Sequence, residues 1–153
     1  MPNTIGPANR TVSLIYRYGR RFLARELKAV SVDVGQYPFL IAVLRNPGIT
    51  QEQLSEKLGM DRGTTARSVA ALEEQGYFTR ETDAHDRRIN HIYSTEKADR
   101  LREELYAVSD RLHSAYMTGF SDEEKEMLSG LFRRLSENAV AYYDEASQEG
   151  EGQ

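Results

Sequence analysis

Residues 83–91, DAHDRRINH, hold two aspartates, two histidines and two arginines within nine positions. Such a set has three uses. Carboxylates beside imidazoles can move protons, as Asp83, Asp86, His85 and His91 would in a hydrolase. The same side chains ligate divalent metals, and facing strands would bring His85 and His91 near Asp83. Arg87 and Arg88 can instead project outward and touch a polyanion. The flanking elements decide among these uses.

From Asn9 to Val30, the residues Val12, Ile15, Gly19, Phe22, Leu23, Leu27 and Val30 recur at three- and four-residue steps. That spacing predicts one long amphipathic helix, with Arg17, Arg20, Arg21 and Arg25 around it. Ser31-Val32-Asp33 breaks it. Asp33 is placed to cap a second helix, with Pro38 in the first turn and Phe39, Leu40, Val43 and Leu44 facing inward. The sequence NPG at 46–48 ends that helix. Thr50 with Gln53 then reads as a capping box, Leu54 and Leu58 face inward, and Gly59 supplies a left-handed C-terminal cap. Only Met60 separates this stop from Asp61, the N-cap of a helix running through Ala66, Val69 and Leu72 to Gly76. Two short helices across so tight a turn are a helix-turn-helix.

After Gly76 the period changes. YFTRE (77–81) and INHIYS (89–94) are rich in aromatic and β-branched residues and predict two strands joined by TDAHDRR. A hairpin directly after a helix-turn-helix makes a winged helix, and places DAHDRR at the wing tip. Thr95 next caps a long helix whose Ala98, Leu101, Leu105, Val108, Leu112 and Ala115 step like a coiled-coil seam. Gly119 ends it. Ser121 with Glu124 opens a last helix carrying Leu128, Leu131, Leu135, Ala139 and Tyr142 on one side.

That placement bears on the chemistry. A hairpin tip in water has no shielded cleft to shift pKa values, and the chain lacks G-x-S-x-G, H-E-x-x-H and P-loop motifs. No catalytic residue and no enzyme is expected. Zinc sites want three or four ligands at short spacings, and the chain has no cysteine, so neither a metal site nor a cofactor is expected. The histidines read as wing decoration, protonated imidazole assisting phosphate contact.

The net charge of −4 argues against a simple polycation. Its distribution is uneven, at +5 over residues 1–49, −2 over 50–95 and −7 over 96–153. Any nucleic-acid surface is therefore local. The first ten residues lack the apolar core of a signal peptide, and no run of about 18 apolar residues occurs. A cytoplasmic protein with no membrane partner is expected.

Arg62, Gly63, Thr64, Thr65, Arg67 and Ser68 crowd the first two turns of the helix after Asp61. Groove recognition needs such residues, because side chains at the leading end must be short or must donate in pairs. Thr64, Thr65, Arg67 and Ser68 are expected at the major groove, with Arg62 and Gly63 near the backbone.

With these elements in place, the chain resembles the MarR family of transcription regulators over about residues 9–146. The most specific segments are PGITQEQLSEKLGMDRGTTARSVAALEEQGYFTR and DAHDRRINHIYSTEKA. Asp86, Arg88, Ile92, Thr95 and Ala98 occupy the places of the family's wing pattern. Ala98 stands for the usual glycine, and Ser94 for a preferred leucine. The resemblance implies a homodimer with interlocked terminal helices, its two winged helices on a near-palindromic double-stranded operator. It implies that Asp86 braces Arg88, which enters the minor groove with Arg87 beside it. It also implies release by a small aromatic anion, for which Arg17, Arg20 and Tyr37 are the expected ligand contacts.

The expected fold is mostly α with a small β-hairpin wing. A winged helix-turn-helix spans 33–95, residues 1–32 and 96–146 form a helical dimerisation region, and 147–153 form a disordered tail. The expected function is a dimeric, sequence-specific DNA-binding regulator, a repressor. The competing reading is a winged-helix protein-interaction module without sequence-specific DNA binding.

Overall fold

The computed structural model describes residues 7–150, with side chains over 9–144. The chain divides into two units, residues 1–113 and 114–153. In the first unit, α1 (Pro7–Glu26) runs into a 3-10 turn over Leu27–Val30 that closes on Ser31 in the left-handed conformation. Then follow α2 (Tyr37–Arg45), β1 (Ile49–Thr50), α3 (Gln51–Leu58) and α4 (Arg62–Glu74). The wing strands are β2 (Phe78–Thr82) and β3 (Asn90–Ser94), and α5 (Glu96–Asp99) and α6 (Arg102–Tyr116) come after them. The second unit carries α7 (Asp122–Gly150).

The helix-turn-helix forms where its local signals lie. Thr50 Oγ1 accepts from the Gln53 amide at 3.2 Å, and the Gln53 side chain returns an acceptor to the Thr50 amide at 3.0 Å. A cap of this kind contributes about 1 kcal/mol. Gly59 sits at φ 60° with nothing within 4 Å of a built Cβ, so it is backbone strain, not crowding, that excludes a larger residue.

Leu54 of α3, Val69 and Leu72 of α4, Phe39, Leu40, Val43 and Leu44 of α2, and Phe78 and Ile92 of the sheet form one buried core. Leu27, Ala98, Leu105 and Val108 belong to the same core. The turn after α1, with α5 and α6, is thus packed with the 33–95 lobe in the single chain. Arg111 Nη2 also lies 2.8 Å from Glu26 Oε2, so the end of α1 meets α6 within the single chain.

Several expected boundaries shift. Asp33 does not cap α2: its carboxylate accepts from the Gly35 amide at 2.7 Å and shapes a turn, and Gln36 takes the N-cap position. The helix expected after Thr95 is broken at Arg100–Leu101, where the Leu101 amide donates to Ala98, three residues back. The break is held from outside the helix. Arg102 donates to the Leu44 carbonyl at 2.9 Å and pairs with Asp99, which also accepts from Ser94.

A third strand joins the two expected ones. β1 pairs with β3 through Ile49↔Ile92 and Thr50↔His91, giving the antiparallel order β1-β3-β2. α7 continues to Gly150, so the stretch expected as a tail begins as helix, and its last three residues, 151–153, lie outside the described residues.

Candidate nucleic-acid interface

α4 begins on Asp61, whose Oδ1 accepts from the Thr64 amide at 2.7 Å. Asp61 Oδ2 accepts from the Thr64 hydroxyl at 2.7 Å, and Arg67 Nη2 donates to that hydroxyl oxygen at 3.0 Å. Asp61, Thr64 and Arg67 thus form a chain on the leading face, with Arg67 exposed at its end. The Thr64 amide, then its hydroxyl, hold the Asp61 carboxyl below the usual aspartate range. Gly63 lies on the same face, and a Cβ there would come within 3.3 Å of both Arg67 Nη1 and Asp61 Oδ1. Ser68 is half-buried one turn on. Arg62 turns toward α3, its Nη2 2.6 Å from Glu52 Oε1, with both side chains mostly exposed.

Thr65 does not belong to this face. It is fully buried, its hydroxyl 3.0 Å from the Asp61 carbonyl and 3.2 Å from Ser55 Oγ, which in turn donates to the Met60 carbonyl at 2.6 Å. The expectation that Thr65 reads bases is corrected: it ties α4 to α3 across the turn. Thr65→Val, nearly isosteric, removes the donor from a buried site and is expected to cost about 1–2 kcal/mol. Thermal denaturation would register this as a fall of roughly 2–8 °C in Tm.

The wing sets its arginines by Asx chemistry. Asp83 Oδ1 accepts from the His85 and Asp86 amides at 2.8 and 3.0 Å, rounding the tip. Asp86 Oδ1 accepts from the Arg88 amide at 2.9 Å and from its Nε at 3.0 Å, while Oδ2 takes Nη2 at 2.8 Å. The guanidinium is therefore gripped in fork geometry by a carboxylate two residues back. That grip pulls the Asp86 carboxyl down and pushes the Arg88 guanidinium up from their ordinary values. The Arg88 side chain is still 90 % exposed, so it is aimed without being occupied. Arg87 beside it is exposed as well.

Of the two wing histidines, His91 alone bonds through its ring among the described residues. Its Nε2 is 2.9 Å from Asp83 Oδ2 and its Nδ1 2.9 Å from the Gly48 carbonyl oxygen. His85 contributes its backbone amide. Among the described residues no group of three His, Cys, Asp or Glu side chains is placed to hold a metal ion. The His91–Gly48 contact could not be read from the sequence, because it depends on β1, a strand of two residues.

The three expected ligand contacts are divided between core and surface. Tyr37 is buried and its hydroxyl donates to the Leu105 carbonyl at 3.1 Å, with burial pushing the phenol pKa up. Arg17 and Arg20 are exposed on α1, where Arg20 donates to the Tyr16 hydroxyl at 3.5 Å.

A capped helix that presents short polar and basic side chains, followed by a hairpin whose tip arginine is braced, defines a winged helix-turn-helix DNA-binding protein. The sequence profile of the MarR family matches residues 31–89. An uncharacterised HTH-type transcriptional regulator, YybA, of Bacillus subtilis (strain 168) is 34% identical over 113 residues, 74% of this chain and 75% of its own. The transcriptional regulator SlyA is similar in structure, with a TM-score of 0.84 at 31% identity over 90% of this chain and 97% of that one. A MarR family regulator of Listeria monocytogenes complexed with 26mer DNA superposes with a TM-score of 0.85 at 24% identity, covering 91% of this chain and 93% of its own. The chain belongs to the MarR family of transcription regulators. Among the described residues no helix is long and apolar enough to cross a membrane.

Proposed function

We propose that this protein is a homodimeric repressor that grips a near-palindromic operator with two winged helices and releases it on binding a small aromatic anion. The observation that carries the reading is the Asp86–Arg88 fork, a guanidinium pre-aimed at the wing tip yet 90 % exposed. Thr64, Arg67 and Ser68 face the major groove, Arg62 and Gly63 lie near the backbone, and Arg87 and Arg88 serve the minor groove. Two copies bind half-sites roughly 34–36 Å apart, one duplex turn.

Dimerisation is supported by the apolar surface left open on two helices. α1 exposes Val12, Leu14, Tyr16 and Tyr18, and α7 exposes Met127, Leu131, Phe132, Leu135 and Val140. Apolar patches of this kind mark interfaces. The dimerisation region is accordingly assigned to 1–32 and 96–146. Release by an aromatic anion rests on Arg17 and Arg20, exposed on α1 beside Tyr16, while Tyr37, buried and already bonded, takes no part. The anion acts by preferring the conformer in which the half-sites no longer fit.

Titrating the protein against duplex from upstream of its own gene, over a series of salt concentrations, tests the proposal. Binding is expected to be selective against unrelated duplex and to weaken steeply with salt, as phosphate contacts require. Equal, negligible binding to every duplex would favour the protein-interaction module instead.

A further inference from the structure

His91 stands where the wing meets the rest of the lobe. On one side of its ring is the Asp83 carboxylate, which also rounds the wing tip through the His85 and Asp86 amides. On the other is the carbonyl of Gly48, at the start of β1. Neither partner can donate. A carboxylate and a carbonyl only accept, so both contacts are satisfied together only if both ring nitrogens carry hydrogen. A neutral imidazole has one N–H and must surrender one side.

The acceptors are fixed in place. The Gly48 amide donates to the Ile92 carbonyl at 2.9 Å, and Gly48 adopts φ 82° against the Tyr93 ring. The Asp83 amide donates to the Ile89 carbonyl at 2.9 Å. Around the imidazole, β1 presents uncharged Thr50, β2 presents Glu81 in direct register, and the wing loop presents Asp83. Asp86, on the same loop, is already engaged by Arg88. Asp83 and Glu81, the charged groups that act on the ring, are both anionic.

We propose that His91, as an imidazolium, is a positioning residue for the wing: it clamps Asp83 to Gly48 and thereby sets the aim of Arg88, so that DNA affinity falls when His91 loses its proton. The proposal rests on the DNA-binding reading above. The electrostatics agree in direction. The Asp83 hydrogen bond, then that of Gly48, raises the His91 pKa above 6.5. Reciprocally, His91 and the two tip amides draw Asp83 down to about 2. A raised imidazole favours the folded wing fully below 6.5, and the advantage vanishes as pH climbs through the raised value. Asp83 does the opposite, contributing above its ordinary 3.8 and failing as pH falls through about 2. The clamp is whole from about pH 4 to about 6.5 and opens as pH rises through the raised His91 value.

Two measurements on the full chain decide the matter. Nitrogen-15 NMR of the ring, without DNA, is expected to show both His91 nitrogens protonated at pH 6 and a titration above 6.5. Fluorescence anisotropy with the upstream duplex is expected to show about tenfold loss of affinity between pH 6 and pH 9. His91→Gln should bind with the weakened affinity at every pH and show no step. His85→Gln, which also deletes a titratable ring from the wing, should keep the step. A neutral single tautomer of His91 at pH 6 would overturn the clamp. A step that survives in His91→Gln would overturn its effect on DNA affinity. Binding to no duplex at any pH would overturn the wing role together with the DNA-binding reading, and the NMR titration would then speak for the ion pair alone.

Discussion

Arg88→Ala is expected to weaken operator binding roughly ten- to a hundredfold, in the range of one lost specific arginine contact. Its melting temperature should stay close to that of the parent, because the side chain is 90 % exposed and its partner among the described residues, Asp86, lies two residues away. Anisotropy titrations at fixed salt, paired with thermal denaturation, separate the two effects. Asp86→Ala should produce a smaller loss, about three- to tenfold: it keeps the guanidinium but removes the fork that orients it and the acceptor for the Arg88 amide. Arg88→Lys should fall between, since a lysine keeps the charge and cannot fill both carboxylate oxygens at once. Unchanged affinity in Arg88→Ala would remove the wing from the DNA contact and leave α4 to carry recognition alone.

The second large effect belongs to α7. Leu131→Asp puts a carboxylate at the middle of its apolar side, where Leu131 is 53% and Leu135 45% exposed in the single chain. If a second copy covers this side, the dimer must bury two such charges related by its symmetry axis, each unpaired. Dimer affinity should drop more than a hundredfold, and light scattering should find monomers at micromolar concentration. Operator affinity should fall with it by roughly 10²- to 10⁴-fold, because the second half-site loses the advantage of a tethered partner. A dimer that persists in Leu131→Asp would place the interface elsewhere.

The parts of this molecule legible in its sequence are those determined by residues close together along it. The box of Thr50 and Gln53, the cap of Asp61 on Thr64 and the box of Ser121 and Glu124 each lie within three residues, and each forms as its spacing implies. The fork of Asp86 and Arg88 is equally local. Thr65 misleads because its fate is settled ten residues away, by Ser55 across the turn. Seen on its own helix it resembles Thr64, and only the packing of α3 turns it inward. The surroundings of Tyr37 are set at longer range still, its hydroxyl donating to the Leu105 carbonyl. The break between α5 and α6 has no glycine or proline to announce it and is imposed by Arg102 reaching to Leu44. A strand as short as β1 has no periodicity to detect, and with it the Gly48 end of the His91 contact goes unseen.

That short strand has a mechanical consequence. β3 lies between β1 and β2, so the hairpin is stitched to the segment that leads straight into α3 and, one turn later, α4. The base of the wing is therefore tied to the helix-turn-helix, and the two behave as jaws joined at the root. Regulation of such a tool would work through the spacing and tilt of whole lobes, and hydrogen exchange across an induction cycle should leave the β1–β3 amides equally protected throughout.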